Sequence, residues 1–373
     1  MNSLYIHIPF CRKKCLYCDF YSTRYYYGFA RSYIDILCQQ IKRLDGDFHT
    51  IYIGGGTPTV LEVRLLRKLL KSLYKIARKT VEFSVEANPE SLDKQKLKLL
   101  LSEGVNRISI GVQSLYDQKL RKLGRIHSAK EALRAVCLAK EEGFKNIGID
   151  LIFGLWQETL SSWKEELSLA VKLPVNHISA YSLTYEKNTP LFDKLNTKKI
   201  ISLADTITSK MYKYCMNYLP KRGFMQYEVS NFAKNGFSCK HNLNYWENNP
   251  YIGLGPSAVS YRDGIRNRNL VNIEKYIEKI EIGKSPIVFQ EKLSPEKYAK
   301  ETAVLKIRTK KGINFHWFSE KTGFDFRDFE KSAIKNLITQ RLIRYARARG
   351  KIVGICLTKK GFLFCDSVCA ELV

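Results

Sequence analysis

Short runs of apolar, β-branched residues recur along the first half of the chain, at 4–8, 50–53, 81–87, 107–113, 146–153 and 177–184. Between them the apolar positions switch to a helical period. Ile34, Leu37, Cys38, Ile41 and Leu44 share one face, with Arg31, Asp35, Gln39 and Lys42 off it. The same period returns over 61–76, 96–101, 129–140, 163–173 and 204–219. Ser91, Ser128 and Ser161 stand where helix N-caps are expected. Strand and helix thus alternate through six units, which predicts an α/β fold around a parallel sheet.

Polar residues collect near the C-terminal ends of these strands. Cysteines follow the first, Gly54-Gly55-Gly56-Thr57-Pro58 the second, Glu86 and Gln113 close the third and fourth, and Asp150 lies within the fifth. Parallel α/β sheets bind ligands at that edge. So many strand ends aimed at one centre predict a partial, open (βα)6 barrel over residues 1–225. Residues 226–291 read as a connector of loops and short strands. From 292 to 373 a helix at 296–308, a helical stretch near 326–339 and a β-wing at 352–357 predict a small α+β, winged-helix-like domain.

The chain has 373 residues, of which 45% are hydrophobic and 26% charged, which excludes disordered and collagen-like classes. The longest apolar stretch, 147–156, carries Asp150 and is about half of the ~20 residues a membrane span needs. A strand pattern begins almost at the first residue, so no export signal is expected, and the expected location is cytoplasmic. Sixty-two Lys and Arg against 36 Asp and Glu leave a net charge of +26. Nucleic acid, an anionic membrane face, acidic small molecules and a Lys-favouring composition would each account for it.

Seven of the ten cysteines are scattered singly, and most of them read as small buried apolar residues. The other three, Cys11, Cys15 and Cys18, fall in a Cys-x3-Cys-x2-Cys loop. A structural zinc site wants four ligands, and no second knuckle exists. An iron–sulfur cubane takes thiolates equally well, and three of them leave one iron open.

Tyr5-Ile6-His7-Ile8-Pro9-Phe10-Cys11-Arg12-Lys13-Lys14-Cys15-Leu16-Tyr17-Cys18 resembles the signature of the radical S-adenosylmethionine enzymes, in the branch that contains the oxygen-independent coproporphyrinogen dehydrogenases. The resemblance implies that the three cysteines hold a [4Fe–4S] cluster whose open iron chelates S-adenosylmethionine. It also implies cofactor contacts for other residues. Gly55, Gly56 and Thr57 belong to a glycine motif lying against the methionyl amino group, and Glu86 and Gln113 match polar contacts. Arg125 would pair with a carboxylate, Asp150 would accept from ribose hydroxyls, and Tyr5 and Tyr17 match positions that touch cofactor molecules.

Two departures separate the chain from the dehydrogenases of that branch. Asp19-Phe20 stands where they carry a fourth cysteine, and only ten residues precede Cys11 where they carry a long arm. Both count against porphyrinogen decarboxylation. His241-Asn242-Leu243-Asn244-Tyr245-Trp246 is similar instead to the His-Asn-x-x-Tyr-Trp motif of the haem chaperones of the branch. That resemblance implies haem as a ligand, with His241 on the iron and Tyr245 and Trp246 walling the porphyrin. The implied partners are haem-accepting proteins of the respiratory chain, reached at the membrane surface. The densest basic run, Lys335 to Lys351, suits such docking and keeps a nucleic-acid binder as the alternative of another class. A true dehydrogenase and a radical methyltransferase are the enzyme alternatives, and homodimerisation stays open.

Overall fold

A computed structural model describes residues 2–372. Its centre is six parallel strands, β1 (Ser3–Ile8), β2 (Thr50–Gly55), β3 (Glu82–Ala87), β4 (Arg107–Gln113), β5 (Asn146–Phe153) and β6 (His177–Ser182), adjacent in that order. Each is joined to the next by helix, and the strands are nearly all buried, which is why they read as continuous apolar runs. The sheet stays open, as a partial barrel does. It runs on as Asn231–Ala233 and Met225–Gln226 beside β6, and as Tyr251–Leu254, Val259–Arg262, Ile265–Asn269 and Ile287–Lys292 beside β1. Residues 226–291 therefore supply strands to both edges of the sheet.

The helices use the expected faces but not all the expected caps. Ser128 forms a capping box with Glu131. Helix Lys94–Ser102 is capped by Asp93, whose side chain accepts from the Lys96 amide, while Ser91 lies in the preceding 3-10 turn. Helix Leu160–Ala170 is capped by Thr159, and Ser161 is already inside it. In both cases the chain offers two candidates two residues apart, and the residue that keeps an extended backbone takes the cap.

The last unit packs helices Pro295–Ile307, Phe315–Thr322 and Lys331–Thr339 against a three-stranded sheet whose centre is Lys351–Leu357. The helical stretch near 326–339 is broken at Glu330 into Phe326–Phe329 and Lys331–Thr339. After the wing the chain closes with helices Lys359–Leu363 and Cys365–Glu371. Lys335, Arg341, Arg344, Arg347, Arg349 and Lys351 are all exposed on this unit.

Candidate functional site

The loop after β1 is tied down before it reaches the site. The Thr23 amide donates to the Pro9 carbonyl at 2.6 Å and the Tyr25 amide to the Cys11 carbonyl at 3.0 Å. Farther out, the Leu16 amide donates to the Leu123 carbonyl at 3.1 Å. Gly124 makes that approach possible, because a Cβ there would sit 2.6 Å from Leu16 Cγ. Thus pinned, Cys11, Cys15, Tyr17 and Cys18 line a cavity of about 620 Å³ together with Gly55, Gly56, Glu86, Gln113, Arg125 and Asp150. Ten of the twelve residues expected to hold the cluster and its cofactor meet in this one cavity, at the C-terminal ends of the strands.

The two exceptions are informative. Thr57 is buried behind Cys11, with its hydroxyl 3.5 Å from the thiol and accepting from Asn88 Nδ2 at 2.8 Å. It supports the loop and does not line the cavity. Tyr5 faces an adjoining cavity of about 690 Å³ and hydrogen-bonds His7 Nδ1 at 3.0 Å.

Local backbone explains why these side chains point inward. A bulge interrupts β4 between Ile110 and Gln113, and Gln113 adopts φ 62°, which turns its side chain toward the cavity. The glycine turn is demanded by the protein's own packing. A Cβ on Gly55 would lie 2.5 Å from His7 Nδ1, and one on Gly56 would lie 2.7 Å from the Phe10 carbonyl oxygen. The Gly55 amide and the Tyr52 hydroxyl donate to the two oxygens of Glu86 at 3.1 and 2.8 Å. Burial first, and the nearby Asp150 carboxylate after it, push the Glu86 carboxyl up to about 7. Burial also raises Asp150, against hydrogen bonds from Ser179 and Ser109.

Arg125 donates to Asn88 Oδ1 at 2.7 Å and to the Gly111 carbonyl at 2.8 Å, and its Nη1 lies 3.4 Å from Cys15 Sγ. Its buried Nε has no partner within the protein. An unpaired donor on a fixed cation beside a thiol fits an anionic group such as a cofactor carboxylate or a cluster sulfide. Among the described residues no group of three or more His, Cys, Asp or Glu side chains converges on a single metal ion. Three thiols on one cavity wall without that convergence suit a multi-iron cluster better than one tetrahedral ion. Asn88, which bridges Thr57 and Arg125, and Asp19 and Phe20, which line both cavities, were not singled out as site residues in the sequence. Asn88 carried a signal in its position directly after the end of β3.

The adjoining cavity shares Asp19, Phe20, Gly55 and Glu86 with the first and is walled by Tyr5, Tyr21, Tyr245 and Tyr251. His241 does not reach it. It is 1% exposed inside the barrel, with Nδ1 2.7 Å from Thr50 Oγ1 and Nε2 2.9 Å from the Tyr245 hydroxyl, and its ring stacks on Tyr52. Burial, with the Arg107 charge added, lowers its pKa to about 3 and keeps it neutral. Trp246 is partly buried, and its indole N–H has no partner. Of the three residues expected to meet haem, the structure brings Tyr245 to a cavity and sets His241 behind it.

Comparison with known proteins bears on the family and the fold. The profile of the radical SAM superfamily matches residues 5–170. The heme chaperone HemW of Bacillus subtilis (strain 168) is 36% identical, with 95% of this chain and 97% of that protein aligned. The heme chaperone HemW of Lactococcus lactis subsp. lactis (strain IL1403) is also 36% identical, over 97% of this chain and 94% of that protein. Among solved structures, coproporphyrinogen III oxidase (HemN) from Escherichia coli superposes with a TM-score of 0.84 at 21% identity, covering 99% of this chain and 89% of that one. That likeness carries the fold. By sequence over nearly its whole length, this chain belongs to the HemW family of the radical SAM superfamily.

Proposed function

We propose that this protein is a haem chaperone that holds a [4Fe–4S] cluster and S-adenosylmethionine at the strand-end cavity and haem in the cavity beside it. The observation that carries the reading is the junction of the two cavities, which share Asp19, Phe20, Gly55 and Glu86. Cys11, Cys15 and Cys18 would hold the cluster. Gln113, Arg125, Asp150, Glu86 and the Gly55-Gly56 backbone would hold S-adenosylmethionine, with Tyr17 against the loop. The cluster, when bound and reduced, supplies the electron that cleaves the sulfonium of S-adenosylmethionine. Arg125 fixes negative charge, and Glu86, braced by Tyr52, faces positive charge. Tyr245 and its neighbours form an aromatic wall suited to a flat apolar macrocycle.

The place of the fourth cysteine, occupied by Asp19 and Phe20, supports carriage of haem over decarboxylation of a porphyrinogen. The recipients would be apo-haem proteins, approached through the exposed basic residues of the last unit. No helix among the described residues is long and apolar enough to cross a membrane. Docking at a membrane would therefore rest on surface charge. The test is anaerobic transfer: the haem-loaded, cluster-reconstituted chain is mixed with an apo-haem protein while a parallel reaction monitors coproporphyrinogen III turnover. Transfer without turnover is expected, and turnover without transfer would reverse the reading.

A further inference from the structure

Cys11 and Cys15 each meet a hydrogen-bonding side chain from a different part of the chain, and the two meet on one residue. Thr57 Oγ1 lies 3.5 Å from Cys11 Sγ, and Arg125 Nη1 lies 3.4 Å from Cys15 Sγ. Asn88 joins them. Its Nδ2 donates to Thr57 Oγ1 at 2.8 Å, and its Oδ1 accepts from Arg125 Nη2 at 2.7 Å. The backbone holds the amide in place. Asn88 directly follows β3, and Pro89 after it favours the extended conformation it adopts, φ −109° and ψ 145°. Its carbonyl accepts from the Ser91 amide at 3.0 Å and the Ser91 hydroxyl at 2.9 Å. Gly111 in β4 leaves the space, since a Cβ there would lie 2.7 Å from Asn88 Oδ1.

Chemistry fixes the direction of each bond in this chain. A guanidinium only donates, so Asn88 turns its oxygen to Arg125 and its amide hydrogens to Thr57. Thr57 Oγ1 accepts from that amide, which leaves its own proton for Cys11 Sγ. The two hydrogens of Arg125 Nη2 go to Asn88 and the Gly111 carbonyl, and Nη1 is left to donate to Cys15 Sγ. Both sulfurs therefore receive a hydrogen bond, and one amide orients both donors. Hydrogen bonds to the sulfurs are among the features that set the reduction potential of an iron–sulfur cluster. Donors favour the more negative, reduced state, so they raise that potential.

Resting on the cluster reading above, we propose that Asn88 is a positioning residue for the cluster: it aims Thr57 and Arg125 at two of the three cysteine sulfurs and so makes the cluster easier to reduce. The experiment is an anaerobic redox titration of the cluster-reconstituted full chain without S-adenosylmethionine, followed by electron paramagnetic resonance and normalised to iron content. Asn88→Leu is expected to lower the midpoint potential so that the ratio of reduced to oxidised cluster at a fixed potential falls about tenfold, which is 59 mV for a one-electron couple. Thr57→Val should lose part of this, Thr57→Ser should restore the wild-type value, and adding Thr57→Val to Asn88→Leu should change little further. An iron-loaded Asn88→Leu with the wild-type potential overturns the proposal. If Asn88→Leu takes up no iron, Thr57→Val and Thr57→Ser decide, and equal potentials in that pair overturn it. A wild-type chain that assembles no cluster removes the cluster reading itself, whereas a normal cluster indifferent to these substitutions sinks the role of Asn88 alone.

Discussion

Arg125 Nη1 lies 3.4 Å from the Cys15 thiol, while Nη2 of the same guanidinium is fixed by Asn88 and the Gly111 carbonyl. One cation therefore links the cluster loop to the ends of β3 and β4. Replacing Arg125 by Met should weaken S-adenosylmethionine binding about 10- to 100-fold, the worth of a hydrogen bond to a charged group. Lys should restore only part of it, since it lacks the planar fork. Equilibrium dialysis with labelled cofactor, normalised to iron content, measures both, and unchanged affinity in the Met variant would remove Arg125 from the site.

Gly55 combines a φ of 108° with a Cβ path that ends 2.5 Å from His7 Nδ1. Gly55→Ala should cost at least ~2 kcal/mol, from backbone strain and overpacking together. Gly46 has φ 85° with nothing within 4 Å of its Cβ position, so Gly46→Ala should lose only the strain. Urea unfolding of the two variants compares them directly, and equal losses would show that the contact with His7 does not matter.

Glu86 sets a pH dependence with a definite sign. Its carboxyl is pushed up to about 7, first by burial, so it is largely neutral below that pH and negative above. Binding of the cationic cofactor should therefore strengthen as pH rises from about 6 to 8, and Glu86→Gln should flatten the profile. The same shift means the folded chain holds a proton that the unfolded chain has lost. The Glu86 contribution to stability should accordingly fall as pH rises from the ordinary carboxyl range to about 7. A wild-type binding curve that is flat over this range would contradict the assignment of charge to Glu86.

The six βα units were legible because each strand is buried on both faces and each helix on one, so period and apolarity both report the fold. Cys11, Cys15 and Cys18 were legible because thiols in a loop outside a disulfide setting have few other uses. His241 sits behind the cavity wall for a reason the motif does not carry: a motif gives residue types but not the hydrogen bonds a ring makes, and Thr50, 191 positions away, engages one of its nitrogens. Asn88 escaped notice similarly. Asn88 acts through partners on other elements.

Lys119 is a buried cation, bonded to Glu158 at 2.8 Å, Glu166 at 2.5 Å and the Ile152 carbonyl at 3.0 Å. Glu166 also receives the Leu115 amide at 2.7 Å, just beyond Gln113, so this triad anchors the turn that carries a cofactor contact. Lys119→Met should destabilise the chain by about 3–5 kcal/mol by stranding buried carboxylates. Thermal unfolding measures the loss, and a change below ~1 kcal/mol would mean that the triad is relieved by water.

The proposed function depends on Cys11, Cys15 and Cys18 holding one cluster. After anaerobic reconstitution, the wild-type chain should contain about four irons and four sulfides, with visible absorption to match. Cys11→Ala, Cys15→Ala and Cys18→Ala should each lose most of both. A chain in which any of the three variants retains the wild-type iron content and spectrum would contradict the claim.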